Sequence, residues 1–195
     1  MQTTRLEAFS DAVIAIIITI MVLELEIPHE RDLESLRPLV PVFLTYVLSF
    51  VNLGIYWNNH HHMLYATERI NGKVLWANLH LLFWLSLFPF ATGWMGENEF
   101  AEVPTATYGL VLLLAAIAYF ILQSTIVAQQ GPNSPLAAAL GRDLKGKASP
   151  IIYIVAILSA FASRWIALGL YVFVSLMWLV PDRRLESSII SSAGD

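Results

Sequence analysis

Histidines 60, 61 and 62 follow one another directly after Trp57-Asn58-Asn59, with Asn78 and His80 further on, while Ser10 and Asp11 stand at the head of a long aliphatic run. Residues of these types support three kinds of chemistry. Imidazoles and carboxylates hold transition metals; an intramembrane aspartate with histidine neighbours relays protons; amide, hydroxyl and imidazole groups satisfy a carboxylate that lipid cannot, clamping helices together. A membrane metalloenzyme needs several histidine clusters plus carboxylates, whereas the sequence offers one triplet, His80 and a loop His29. The structural reading is preferred, with imidazole and amide donors of the second and third helices reaching Asp11 and Ser10, and the proton-conducting or proton-coupled reading is kept as its alternative. No Gly-rich phosphate loop, His-Glu-x-x-His helix or Gly-x-Ser-x-Gly elbow is present, so neither an enzyme nor a cofactor or resident metal is expected.

The aliphatic run carries a second signal. At about 100° per residue Ile16, Ile20 and Leu23 fall on one stripe with Thr19 at its edge, and Asp11 sits roughly opposite. Ordinary helix packing accounts for such a stripe. A sharper reading has several copies of this helix surround an axis and turn Ile16, Ile20 and Leu23 inward as rings that control wetting, with Thr19 supplying hydroxyl oxygens. That reading requires an oligomer.

Both signals depend on helices that cross a membrane. Of 195 residues, 57% are hydrophobic and 13% charged, against roughly 25% charged in soluble domains, which rules out a soluble globule. Eleven basic residues against 15 acidic ones leave no basic excess, so nucleic acid is not an expected partner, and the absence of cysteine removes disulfides and thiolate chemistry. The uncharged windows are 12–23, 38–67, 74–96, 103–141, 148–163 and 165–181, the fourth broken by Gly131-Pro132-Asn133-Ser134-Pro135. A bilayer core of about 30 Å takes roughly 20 apolar residues per helix. We therefore expect an all-α integral membrane protein, a single domain over residues 1–195 with helices near 4–27, 38–65, 73–95, 104–129, 147–162 and 164–181.

The start is read as a retained span and not a cleaved leader, because Asp11 interrupts it and Glu24 and Glu26 close it. The first helix, with an apolar stretch too short to face lipid alone, is expected to be central and screened by other protein. Pro89 should kink the third helix, and Arg164 should mark a tight turn with a snorkelling side chain. With both termini cytoplasmic, Arg5, Arg69, Lys73, Arg142, Lys145, Lys147, Arg183 and Arg184 lie inside, and only Arg31, Arg37 and Arg164 lie outside. The outer loops are then acidic, through Glu24, Glu26, Glu30, Asp32, Glu34, Glu97, Glu99 and Glu102. The expected location is the plasma membrane.

Arg5-x-x-x-Phe9-Ser10-Asp11 ahead of an aliphatic helix resembles the signature of the endolysosomal potassium channel family, transmembrane protein 175, in its prokaryotic branch. The resemblance runs on through Trp57-x-x-His60-His61, Asn78 and Pro89-Phe90 and covers nearly the whole chain. It implies a homotetramer of six-helix subunits whose first helices line a pore permeable to potassium and other monovalent cations, without a carbonyl filter loop; no Thr-Val-Gly-Tyr-Gly occurs here. It implies a hydrophobic constriction at Ile16, further layers at Ile20 and Leu23, and a hydroxyl layer at Thr19. Arg5, Phe9, Ser10 and Asp11 then form a packing and hydrogen-bonding unit with Trp57, His80 and one of the triplet histidines, His60 or His61 among them.

Overall fold

The computed structural model describes residues 3–67, 69–131, 134, 136–137 and 144–179. Pro132, Asn133, Pro135, Arg142 and the tail with Arg183 and Arg184, to which breaker and topology roles were assigned above, lie outside the described residues. Helix α1 covers Thr3–Leu23 and buries Leu6, Ser10, Ile14, Ile17 and Met21, spaced three and four residues apart so that they form one stripe. It stops at Leu23 and not at the expected residue 27. Glu24 and Glu26 would place carboxylates at the negative end of the helix dipole, and Pro28 disfavours helical backbone at Ile27.

A 3-10 helix, Glu34–Leu39, follows and takes up Pro38. The Asp32 carboxylate accepts the Ser35 backbone N–H (3.0 Å) just before it. Helix α2 is therefore Val40–Tyr65, starting two residues later than expected, with Pro41 in the first turn where its missing N–H costs nothing. Helix α3, Gly72–Ser86, is capped by Asn71, whose side chain accepts the Val74 N–H at 3.1 Å. The expected single helix 73–95 is in fact two. Pro89 cannot donate to the carbonyl of Leu85, the chain breaks at Leu87, and α4 resumes as Phe88–Glu97.

Helix α5, Glu102–Gln130, ends at Gly131, whose φ of 93° is the left-handed conformation that glycine tolerates and whose N–H closes on the Val127 carbonyl at 2.9 Å. Helices α6, Leu144–Ala160, and α7, Arg164–Leu179, complete the described helices; the first is shifted from the expected 147–162, and the second starts at the expected Arg164, with residues 180 and 181 outside the described residues. Segments 3–23, 34–65, 72–97 and 102–130 are long and apolar enough to cross a membrane, and 164–179 is a shorter apolar helix. At 1.5 Å per residue α6 and α7 reach only about 24–26 Å. The Arg164 guanidinium does more than snorkel: its Nη1 donates to the Glu99 carbonyl at 2.9 Å, tying the start of α7 to the turn between α4 and α5.

Helix α5 packs against α3, α4, α6 and α7, while α1 leans on α2, α3 and α4. The Tyr171 ring of α7 lies so close over Gly109 of α5 that a Cβ there would overlap its hydroxyl, which donates to the Thr105 carbonyl at 3.1 Å. Across α2, α4 and α5, Ser49 Oγ lies 2.7 Å from Thr92 Oγ1 and 3.1 Å from the Tyr108 hydroxyl, polar contacts that hold helices together where lipid supplies no hydrophobic drive. Within one subunit α1 sits at the edge, so a central position for it exists only in an assembly of several subunits.

Candidate functional site: a clamped face and an open face of the first helix

Helices α1 and α2 run antiparallel, and two rungs join them near the N-terminal end of α1. Trp57 Nε1 donates to Asp11 Oδ1 at 3.1 Å, and His61 Nδ1 lies 2.7 Å from Glu7 Oε1. Glu7 and Asp11 are one helical turn apart, as are Trp57 and His61, so the two pairs stack in register. Beneath them runs a buried chain of hydrogen bonds. His60 Nε2 lies 2.7 Å from Asn78 Oδ1, Asn78 Nδ2 donates to Ser10 Oγ at 2.9 Å, and Ser10 Oγ donates to the Leu6 carbonyl at 2.8 Å. With the Asn78 oxygen accepting, His60 carries its proton on Nε2 and its Nδ1 has no partner.

This clamp gathers Ser10, Asp11, Trp57, His60, His61 and Asn78, and it excludes three other expected members. His80 is exposed and accepts from Trp84 Nε1, a partner on its own helix, at 2.9 Å. It lies about 200° around the helix from Asn78, so the two side chains cannot both face α1. Arg5 and Phe9 are exposed on the other side of α1. Sequence reasoning missed Glu7, although its place four residues before Asp11 matches that of Trp57 before His61. The triplet is divided among roles: His60 is buried on Asn78, His61 meets Glu7, and the His62 ring packs edge-on against His61. Among the described residues no group of three or more His, Cys, Asp or Glu is placed to hold a metal ion.

The opposite face of α1 has no cover. Ile16 is 58% exposed, Ile20 41% and Leu23 76%, although each is a large aliphatic side chain. Thr19 is exposed beside them and donates its hydroxyl proton to the Ala15 carbonyl at 2.8 Å, which leaves its oxygen lone pairs turned outward. Exposed apolar residues continue onto α2 through Val40, Phe43, Leu44, Val47 and Phe50. Just past the open end of α1, the Glu24 carboxyl is held above the usual carboxylate range, first by partial burial and then by the Glu97 charge.

Residues 5–89 match the family model described as endosomal/lysosomal potassium channel TMEM175, a stretch that contains both faces of α1 and all the residues of the clamp. A potassium channel of Chryseobacterium sp. (strain P1-3) is 52% identical over 189 residues, covering 97% of this chain and 98% of that one. A potassium channel of Chamaesiphon minutus is 30% identical over 183 residues, with 86% and 89% covered. The crystal structure of a lysosomal potassium-selective channel TMEM175 homolog from Chamaesiphon minutus superposes with a TM-score of 0.79 at 27% identity, covering 92% of this chain and 97% of that one. A fold shared over nearly the whole length, and a relative more than half identical from end to end, establish that this chain belongs to the TMEM175 family.

Proposed function

We propose that the protein is a potassium-permeable cation channel of the cell membrane, a homotetramer on the family's pattern, with the first helix of each subunit lining the pore and both termini cytoplasmic. The observation that carries this reading is the asymmetry of α1. Its polar groups are bonded inside the subunit, whereas Ile16, Ile20 and Leu23 stay exposed at its surface. Four copies of that face around an axis stack rings of aliphatic side chains, a constriction that conducts when wetted and closes when dry. Thr19 oxygens offer partial replacement of hydration between the rings, and acidic residues beyond Leu23 raise local cation concentration without selecting among cations. Aliphatic rings supply no ion ligands, so discrimination of potassium over sodium is moderate and comes from pore width and dehydration.

The proton-conducting alternative gives Asp11 a relay role. Asp11 is bonded to Trp57 on the side of α1 turned toward α2, away from the aliphatic edge, which favours a positioning role. Reconstitution into liposomes tests both readings. Potassium efflux that falls on changing Ile16→Phe supports the pore; efflux unchanged by that substitution removes Ile16 from the permeation path. Proton flux abolished by Asp11→Asn, with potassium flux intact, would instead select the relay.

A further inference from the structure

The half of the subunit away from α1 contains a cavity of about 50 Å³ between α2, α5, α6 and α7, near the end of the bundle that carries the clamp. Its described walls include Tyr56, Ala116, Phe120, Gln123, Gly146 and Tyr153, and no Asp, Glu, Lys or Arg is among the described residues that line it. Gln123 and Tyr153 are only 8% and 4% exposed. Burial of a polar group ordinarily comes with a hydrogen bond, since an unmet amide or hydroxyl costs about 1–3 kcal/mol. Among the described residues neither the Gln123 amide nor the Tyr153 hydroxyl meets a hydrogen-bond partner, nor does the Tyr56 hydroxyl, and all three residues line the cavity, whereas nearby Ser149 and Trp178 bond to each other at 2.8 Å. The unmet groups lie on three helices and share one cavity. Phe120, about half exposed, stands on its rim and gives it an opening at the subunit surface.

We propose that this cavity is a binding site for a small neutral molecule with a hydroxyl or amide on a compact apolar body, the class to which phenol and short alcohols belong. The wall chemistry dictates that class. A charged ligand would find no counter-charge among the described walls, and a purely apolar one would leave Gln123 and Tyr153 unmet, while a neutral hydroxyl both donates to and accepts from them among aromatic surfaces. By the usual measure the space holds about three to four waters, so the ligand is a single ring or smaller and displaces a small water cluster. The site is independent of conduction, because neither α1 nor α3 contributes to it.

The test uses the full-length protein in nanodiscs of neutral lipid, with 4-fluorophenol as probe and ligand-observed fluorine NMR as the readout. Wild-type protein gives saturable binding above the linear partitioning seen in empty discs. Tyr153→Phe, which removes one oxygen and leaves the packing intact, and Gln123→Leu each weaken it roughly three- to tenfold, the equivalent of one hydrogen bond. Ala116→Leu fills the space and abolishes saturable binding. Partitioning equal to empty discs, or saturable binding unchanged in Tyr153→Phe and Ala116→Leu, overturns the proposal.

Discussion

The two faces of α1 differ in how the subunit treats them. One carries Glu7, Ser10 and Asp11, and each of these side chains has a partner on α2 or α3. The other carries Ile16, Thr19, Ile20 and Leu23, and the subunit covers none of them. In a membrane this division separates fold from assembly. Polar groups must be met before or as helices pack, because lipid offers them nothing, whereas aliphatic side chains rest in lipid at no cost and stay available for a neighbouring subunit or a pore. The clamp thus fixes which way the aliphatic edge points, and substitutions on the two faces should have separable consequences.

The largest effect is expected on the clamped face. Asn78→Leu removes the link between His60 and Ser10 and leaves the His60 N–H without an acceptor, at about 2–3 kcal/mol. Detergent thermal melts and the yield of assembled protein should both fall, and an unchanged melt would show that the buried chain is dispensable. On the open face Ile16→Phe should leave the melt within a degree or two of wild type while cutting potassium flux roughly tenfold, about 1.4 kcal/mol on the barrier. Loss of stability without loss of flux would reverse the assignment of the two faces.

Much of this division is legible in the sequence, and the failures have physical reasons. Periodicity alone separates the Ile16, Ile20 and Leu23 edge from Asp11, because charge and aliphatic character alternate with the helical repeat. Pro89 announces an interruption of the third span, but whether a proline bends a helix or ends it depends on whether its neighbours regain their hydrogen bonds, here settled at Leu87. His80 has the right residue type at a plausible distance and the wrong angle. Glu7 reads as an interfacial charge until the antiparallel pairing of α1 and α2 sets it opposite His61. The edge position of α1 could not be read at all, since a short apolar run says that protein must screen a helix and not whether that protein belongs to the same chain.

Smaller effects sharpen the comparison. Asp11→Asn keeps an oxygen for Trp57 but gives up the charge on its hydrogen bond, so the melt should drop by about 1 kcal/mol with flux reduced only in proportion to assembled protein. A flux loss far exceeding the assembly loss would move Asp11 into the pathway. Past the C-terminal end of α1, Glu97→Gln should lower the Glu24 pKa toward the ordinary carboxylate value, since burial and then the Glu97 charge raise it. The sign follows from the raised pKa: the cost of ionising Glu24 is absent below the ordinary carboxylate value, sets in as pH rises past it and is complete above the raised value, and the substitution lightens it. Carbon-13 carboxyl NMR reads the shift, and an unmoved titration would deny the two carboxylates any interaction.

The central claim is that the uncovered edge of α1 borders an axial passage, and the absence of native cysteine permits a direct measurement. Single cysteines placed at Ile16, Ile20 and Leu23 on the open face, and at Ile17 and Met21 on the covered one, are tested in liposomes for intersubunit disulfides and for block of potassium flux by a thiol reagent. The account predicts cross-linking and block at the first three positions and neither at the last two. Block at Ile17 and Met21 with Ile16, Ile20 and Leu23 inert would contradict it.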